Sequence, residues 1–104
     1  MKLQHTILYR NPKQDARDDF ARCTVHRVRE IRETLLWSEE VGYNPWENKG
    51  FLIDIPEPVE GTNGFDWRLN TYRIESQKEW EDDFLKGKFE PIASQLGVFI
   101  PTII

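Results

Sequence analysis

Residues 2–10 alternate between apolar and polar positions, with Leu3, His5, Ile7 and Tyr9 on one side of an extended chain. Asn11-Pro12 closes that run. The period then changes. Phe20, Thr24, Val28, Ile31 and Leu35 recur at spacings of three or four, which predicts a helix from near Asp15 to about Ser38. Asp15 offers a capping side chain, and Asp18 and Asp19 lie close to the helix's positive end. Residues 51–55 form a short, nearly continuous apolar strand, which Pro56 and Pro58 are expected to stop. Asn63-Gly64 signals a turn. Residues 65–74 alternate again, with Trp67 and Leu69 on one face and Arg68, Asn70 and Tyr72 on the other.

Ser76-Gln77-Lys78-Glu79 is a capping box, in which side chains satisfy the orphan amides of a helix start. Trp80 and Phe84 follow one turn apart, and Gly87 is expected to end this helix. Pro91 opens a second helical stretch, with Ile92 and Leu96 inward and Gly97 as its stop. Residues 98–104 read as an apolar strand, and Pro101 confines it to a sheet edge.

Taken in order, these elements predict an α+β, ferredoxin-like β-α-β-β-α-β sandwich: a four-stranded antiparallel sheet with helices on one face. A chain of 104 residues fits a single domain, residues 1–104. Its aromatic residues (Phe 6, Trp 4, Tyr 3) argue against disorder and supply an expected core of Trp37, Phe51, Trp67, Trp80, Phe84 and Phe89. In this register the open sheet face carries Gln4, Thr6, Arg10, Asp54, Arg68, Asn70 and Tyr72. His5 falls on the core side, as a packed histidine rather than a base.

Charge narrows the function classes. The net charge of −4 divides into +3 over residues 1–37 (eight Lys/Arg, five Asp/Glu) and −7 over residues 38–104 (six against thirteen). That balance argues against general binding to nucleic-acid phosphates. Tyr72 is the one aromatic on the open face placed to stack a base, with Asp54 beside it, so single-stranded RNA binding is a minor alternative. Cys23 is the only cysteine, which excludes an internal disulfide. No apolar run approaches the ~20 residues of a membrane span, and Met1 is not followed by the apolar stretch of a secretory signal. The expected setting is soluble and cytoplasmic.

Catalytic signatures are missing: there is no P-loop, no G-x-G-x-x-G, no G-x-S-x-G and no H-E-x-x-H. Asp54, Glu57, Glu60 and Asp66 are carboxylates of the type acid–base chemistry uses, but they flank a Pro- and Gly-rich turn where acids are common. Cys23, His26 and Glu30 share one side of the first helix at i, i+3 and i+7, a spacing compatible with metal ligation. The sequence supplies no second ligand cluster, so neither metal nor cofactor is expected.

Three surfaces remain. The segment 38–50 holds Tyr43 and Trp46, the residue types favoured as interface anchors. Glu75, Glu79, Glu81, Asp82 and Asp83 crowd the start of the second helix beyond what capping needs, and suit a basic partner. Arg22, Arg29 and Arg32 form a stripe for an anion or a partner's carboxylates. Together they indicate a small, acidic, non-catalytic protein-binding module of the adaptor, inhibitor, antitoxin-like or immunity-like kind. The alternative is a homo-oligomeric small-molecule enzyme or sensor using the open sheet face at Arg68, Asn70 and Tyr72. A homodimer through the 98–104 edge strand is compatible with either.

Overall fold

The computed structural model describes residues 1–47 and 50–95. Strand β1 (Lys2–Arg10) leads into the long helix α1 (Gln14–Val41), a short 3₁₀ turn (Pro45–Glu47), and strands β2 (Phe51–Pro58) and β3 (Asp66–Ile74). A π-wound helix (Glu79–Phe89) then runs directly into α2 (Glu90–Gln95). The fold is α+β, with helices packed on a three-stranded antiparallel sheet in the order β1-β3-β2. This corrects the expected four-stranded sandwich. The residues assigned to a fourth strand, 98–104, lie outside the described ones, as do Leu96 and Gly97.

Two boundaries differ for local reasons. β2 continues through Pro56 to Pro58, because β2 lies at the edge of the sheet, where a missing N–H need not cost a ladder bond. Helix α1 extends past Ser38 to Val41 and begins after Lys13, with no side-chain cap. Its end is a Schellman motif. Gly42 adopts φ 76°, its N–H reaches the Glu39 carbonyl, and the Tyr43 N–H reaches the Ser38 carbonyl at 2.9 Å.

Gly87 does not end the second helix. At 100° per residue, Phe89 would sit about 180° away from Trp80. Winding with i→i+5 bonds brings residues four and five apart back into line. Trp80, Phe84 and Phe89 therefore share one face, with ring centroids 5.4 and 6.2 Å apart and all three rings fully buried. The capping box forms at the start, one residue out of register. The Glu79 N–H donates to Ser76 Oγ (3.2 Å), while Glu79 Oε2 accepts from the Glu75 N–H (2.8 Å).

The core joins these rings to Val25, Val28 and Ile31 of α1 and to Ile53, Ile55 and Ile74 of the sheet. α1 packs chiefly along β2, where the Thr24 hydroxyl donates to the Asp54 carbonyl at 2.5 Å. Its first turns reach the other strands: Phe20 meets Tyr9 (4.8 Å), and Arg17 lies over Trp67 (5.8 Å) and donates to Gly64 O (3.2 Å).

The covered face of β3 is the opposite of the one expected. Asn70, Tyr72 and Ile74 stand in register with Ile55, Ile53 and Phe51 beneath the π-helix. Trp67, Leu69, Thr71 and Arg73 occupy the other face, with His5, Ile7 and Tyr9. The reason is a polar network that makes burial of Asn70 and Tyr72 affordable. Glu57 accepts from Asn70 Nδ2 (2.5 Å), Tyr72 OH (3.0 Å) and Lys88 Nζ (2.9 Å), and the Thr6 hydroxyl donates to Asn70 Oδ1 (2.7 Å). Trp37, expected in the core, is exposed.

Candidate partner-docking surface

Leu35, Leu36 and Trp37 are three consecutive apolar residues, so a helix must point them in different directions. Leu35 packs against the core and Ser38 is buried beside it. Leu36, Trp37 and Val41 project from the outward side, and Trp37 is 56 % exposed. After the Gly42 turn, Tyr43 returns with its ring centroid 6.2 Å from that of Trp37 and is itself 48 % exposed. The Asn44 side chain accepts the Trp46 N–H (3.0 Å), which starts the 3₁₀ turn and sets Trp46 edge-on against Phe51 at 5.2 Å. Trp46 is thus half-buried, as the floor of the surface, while Tyr43 and Trp37 stand above it.

Between these elements lies a groove of about 410 Å³, lined by Leu35, Leu36, Glu39, Tyr43, Trp46 and Glu81 among others. Trp37 instead lines a separate hollow with Glu30, Glu33 and Thr34. The electrostatics are one-sided. The last turn of α1 contains no basic residue and carries Glu39 and Glu40, where the helix dipole is already negative. Acids at a helix C-terminus work against the helix by roughly 0.3–1 kcal/mol each. Exposed aromatics and misplaced carboxylates at one end of the molecule are not what stability alone would select.

Of the acids at the second helix, the structure brings only Glu81 to this groove, where it also accepts a bond from Gln77 (3.0 Å). Glu79 serves the helix cap and pairs with the Met1 ammonium. These hydrogen bonds, the ammonium first and the Glu75 N–H second, hold its carboxyl below the usual carboxylate range. Glu75, Asp82 and Asp83 are exposed and do not line the groove. Trp37, Leu36 and Glu39 complete the surface and were not anticipated; the signal for them was the two-sided apolar run at residues 35–37.

The remaining candidate residues do not converge. Arg22 and Arg29 are exposed and Arg32 is half-buried, its pKa pushed down by burial and by the nearby Arg29 charge. His26 Nε2 meets Glu30 Oε1 at 2.9 Å, Arg27 meets the other Glu30 oxygen at 3.0 Å, and Cys23 is exposed. Asp54 accepts from the Thr71 hydroxyl and Asp66 from the Asn11 N–H (3.3 Å), whereas Glu57 points to the other side of β2. With Asn70 buried and Tyr72 hydrogen-bonded beneath the π-helix, only Arg68 of the expected open-face trio is exposed.

The Glu57 network is a fastener between strands and helix. Burial pushes the Glu57 carboxyl up, but hydrogen bonds from Lys88, Asn70 and Tyr72 outweigh it and leave the group below its ordinary 4.5. Lys88 is raised above its ordinary 10.5, by its bond to Glu57 against the effect of burial. Burial, then the bond to Glu57, also raises Tyr72. Glu57 therefore contributes stability above pH 4.5 that is lost as pH falls through its lowered folded value. Lys88 contributes below pH 10.5 and loses its share as pH rises through its raised value. Since the Lys88 side chain is 39 % exposed and Glu57 26 %, solvent screening discounts the pair. Glu57→Gln is expected to cost about 1.5 kcal/mol at pH 7. In urea titrations the gap from the parent protein should close as pH falls below 4.5; a gap independent of pH would remove the ionic role.

Comparison with protein-family models, with curated proteins and with solved structures finds no match.

Proposed function

We propose that this chain is a small, non-catalytic protein-binding module whose docking surface is the acidic, aromatic end of α1. The observation that carries this reading is the outward set Leu36, Trp37 and Val41, continued by Tyr43 across the Gly42 turn. Contiguous exposed apolar surface of this kind, rimmed by charge, marks interaction sites. Glu33, Glu39, Glu40 and Glu81 set the chemistry of the partner: an apolar protuberance flanked by Lys or Arg. The same carboxylates would face one another if two copies met here, which disfavours a homodimer through this surface. An adaptor, inhibitor or antitoxin-like or immunity-like protein acts by such a surface without reacting groups. A single exposed cysteine suits a reducing compartment, so we place the module in the cytoplasm. Among the described residues no helix is long and apolar enough to cross a membrane.

Capture from the native host tests this, with the parent protein, Trp37→Ala and Tyr43→Ala run in parallel. Each side chain is about half exposed, so the variants should fold. A stoichiometric basic partner should bind the parent, and Trp37→Ala should weaken it by about thirtyfold, the loss of a hot spot of about 2 kcal/mol. Affinity should also fall with salt. A partner held by both variants as tightly as by the parent would move the docking surface elsewhere.

A further inference from the structure

The outward face of α1 changes sign along its length. Glu33, Trp37 and Glu40 follow at i, i+4 and i+7 on this helix, so they lie within about 60° of one another, the two acids about 10 Å apart along the axis. All three are exposed. Neither Glu33 nor Glu40 makes an ion pair among the described residues. Arg29, one turn before Glu33, bounds this strip, and residues 33–47 contain no Lys or Arg. The Trp37 indole therefore stands between two carboxylates, one turn to either side. Helical side chains lean toward the N-terminus, over the turn that carries Glu33 and Thr34, and Trp37 lines one hollow with both.

The backbone of α1 selects the form of the occupant. Between its first and last turns, amides and carbonyls are bonded within the helix. An extended segment laid across it would gain no main-chain bonds and would have to keep its own peptide groups in water. A second helix carries its bonds with it and can bury a stripe of side chains at no such cost. Where two helices cross at about 20°, their side-chain rows stay aligned over several turns, so the spacing on one is matched on the other. Resting on the docking surface proposed above, we infer that this face of α1 binds a basic amphipathic helix of another protein. An apolar residue of that helix packs on Trp37 and Leu36. A Lys or Arg one turn to either side of it faces Glu33 and Glu40.

The probe is an Ala-rich peptide of about 20 residues, long enough to hold a helix, with a central Leu and one Lys on its face a turn before and a turn after. It is titrated into the full chain at low salt and followed by NMR. The peptide should shift the Trp37 indole N–H and the amides around Glu33 and Glu40. Glu33→Gln and Glu40→Gln should each weaken it by about threefold, the loss of an exposed ion pair. Glu33→Lys should turn the preference toward a peptide with one Lys replaced by Glu. Moving both Lys two residues along turns them away from the Leu face at constant composition, and should remove most of the binding. A Pro beside the Leu, which breaks the helix, should do the same. Equal binding of the original, shifted and Pro peptides, shifts confined to another element, or no binding at all would overturn helix recognition. A host partner that depends on Trp37 while the peptides fail these tests would keep the docking surface and remove only its helical occupant.

Discussion

Phe84→Ala is expected to lower the unfolding free energy by about 4 kcal/mol. The ring is fully buried between Trp80, whose plane it meets at 17°, and Phe89, at 21°. Truncation removes its transfer free energy and leaves a cavity that flat neighbours cannot refill without losing their own stacking. A domain of this size has about 5–15 kcal/mol to lose, so the change should take away a large share and lower the melting temperature by about 15–30 °C. Urea unfolding followed by tryptophan fluorescence measures it. Trp80→Phe provides the contrast, because the indole Nε1 is buried with no hydrogen-bond partner among the described residues. Removing an unsatisfied donor offsets part of the lost packing, so this larger side chain should cost less than half as much as Phe84. Equal losses at both positions would show that removing the indole N–H does nothing to offset the lost packing.

The same stack shows what can and cannot be read along this chain. Element order through the start of the second helix was legible, since hydrophobic period and turn chemistry agree there. Winding was not. Spacings of four and five between Trp80, Phe84 and Phe89 put the last ring on the wrong side of an α-helix, and that mismatch was the available sign of π geometry. Hydropathy alone points to the wrong face of β3, because Trp67 and Leu69 look more buriable than Asn70 and Tyr72. The decisive partners, Glu57, Lys88 and Thr6, are distant in sequence, and burial of a polar group depends on them rather than on its own hydropathy. Trp37 is the converse case. Periodicity places it opposite the Val28–Ile31 stripe, while its size suggested the core; periodicity was the better guide. Tyr43 and Trp46 could be found from residue type, but their division into exposed ring and half-buried floor needed the Gly42 turn and the Phe51 contact.

Gly50→Ala should be nearly as damaging as the loss of the Phe84 ring, at about 3 kcal/mol, though it adds a single methyl group. Gly50 precedes β2 with φ 66°, a backbone region where an L side chain costs roughly 1–2 kcal/mol. A Cβ there would stand 2.2 Å from the Ile74 carbonyl oxygen and 3.2 Å from Glu75 Cα, both backbone atoms at the end of β3. Neither can rotate away, so the strand pair must part where Phe51 faces Ile74. Ile74 is fully buried, and moving it disturbs the floor under Trp80. Gly42 supplies the control. It has a similar φ of 76° but open space around its Cβ position, so alanine there should cost only the conformational term, about 1 kcal/mol. Chemical denaturation of the two variants separates the effects: a Gly50 penalty no larger than that at Gly42 would mean the β2–β3 end yields freely. A clearly larger one would show that this junction is held as tightly as the core, fixing the turn that carries Tyr43 and Trp46 to the rigid end of the sheet.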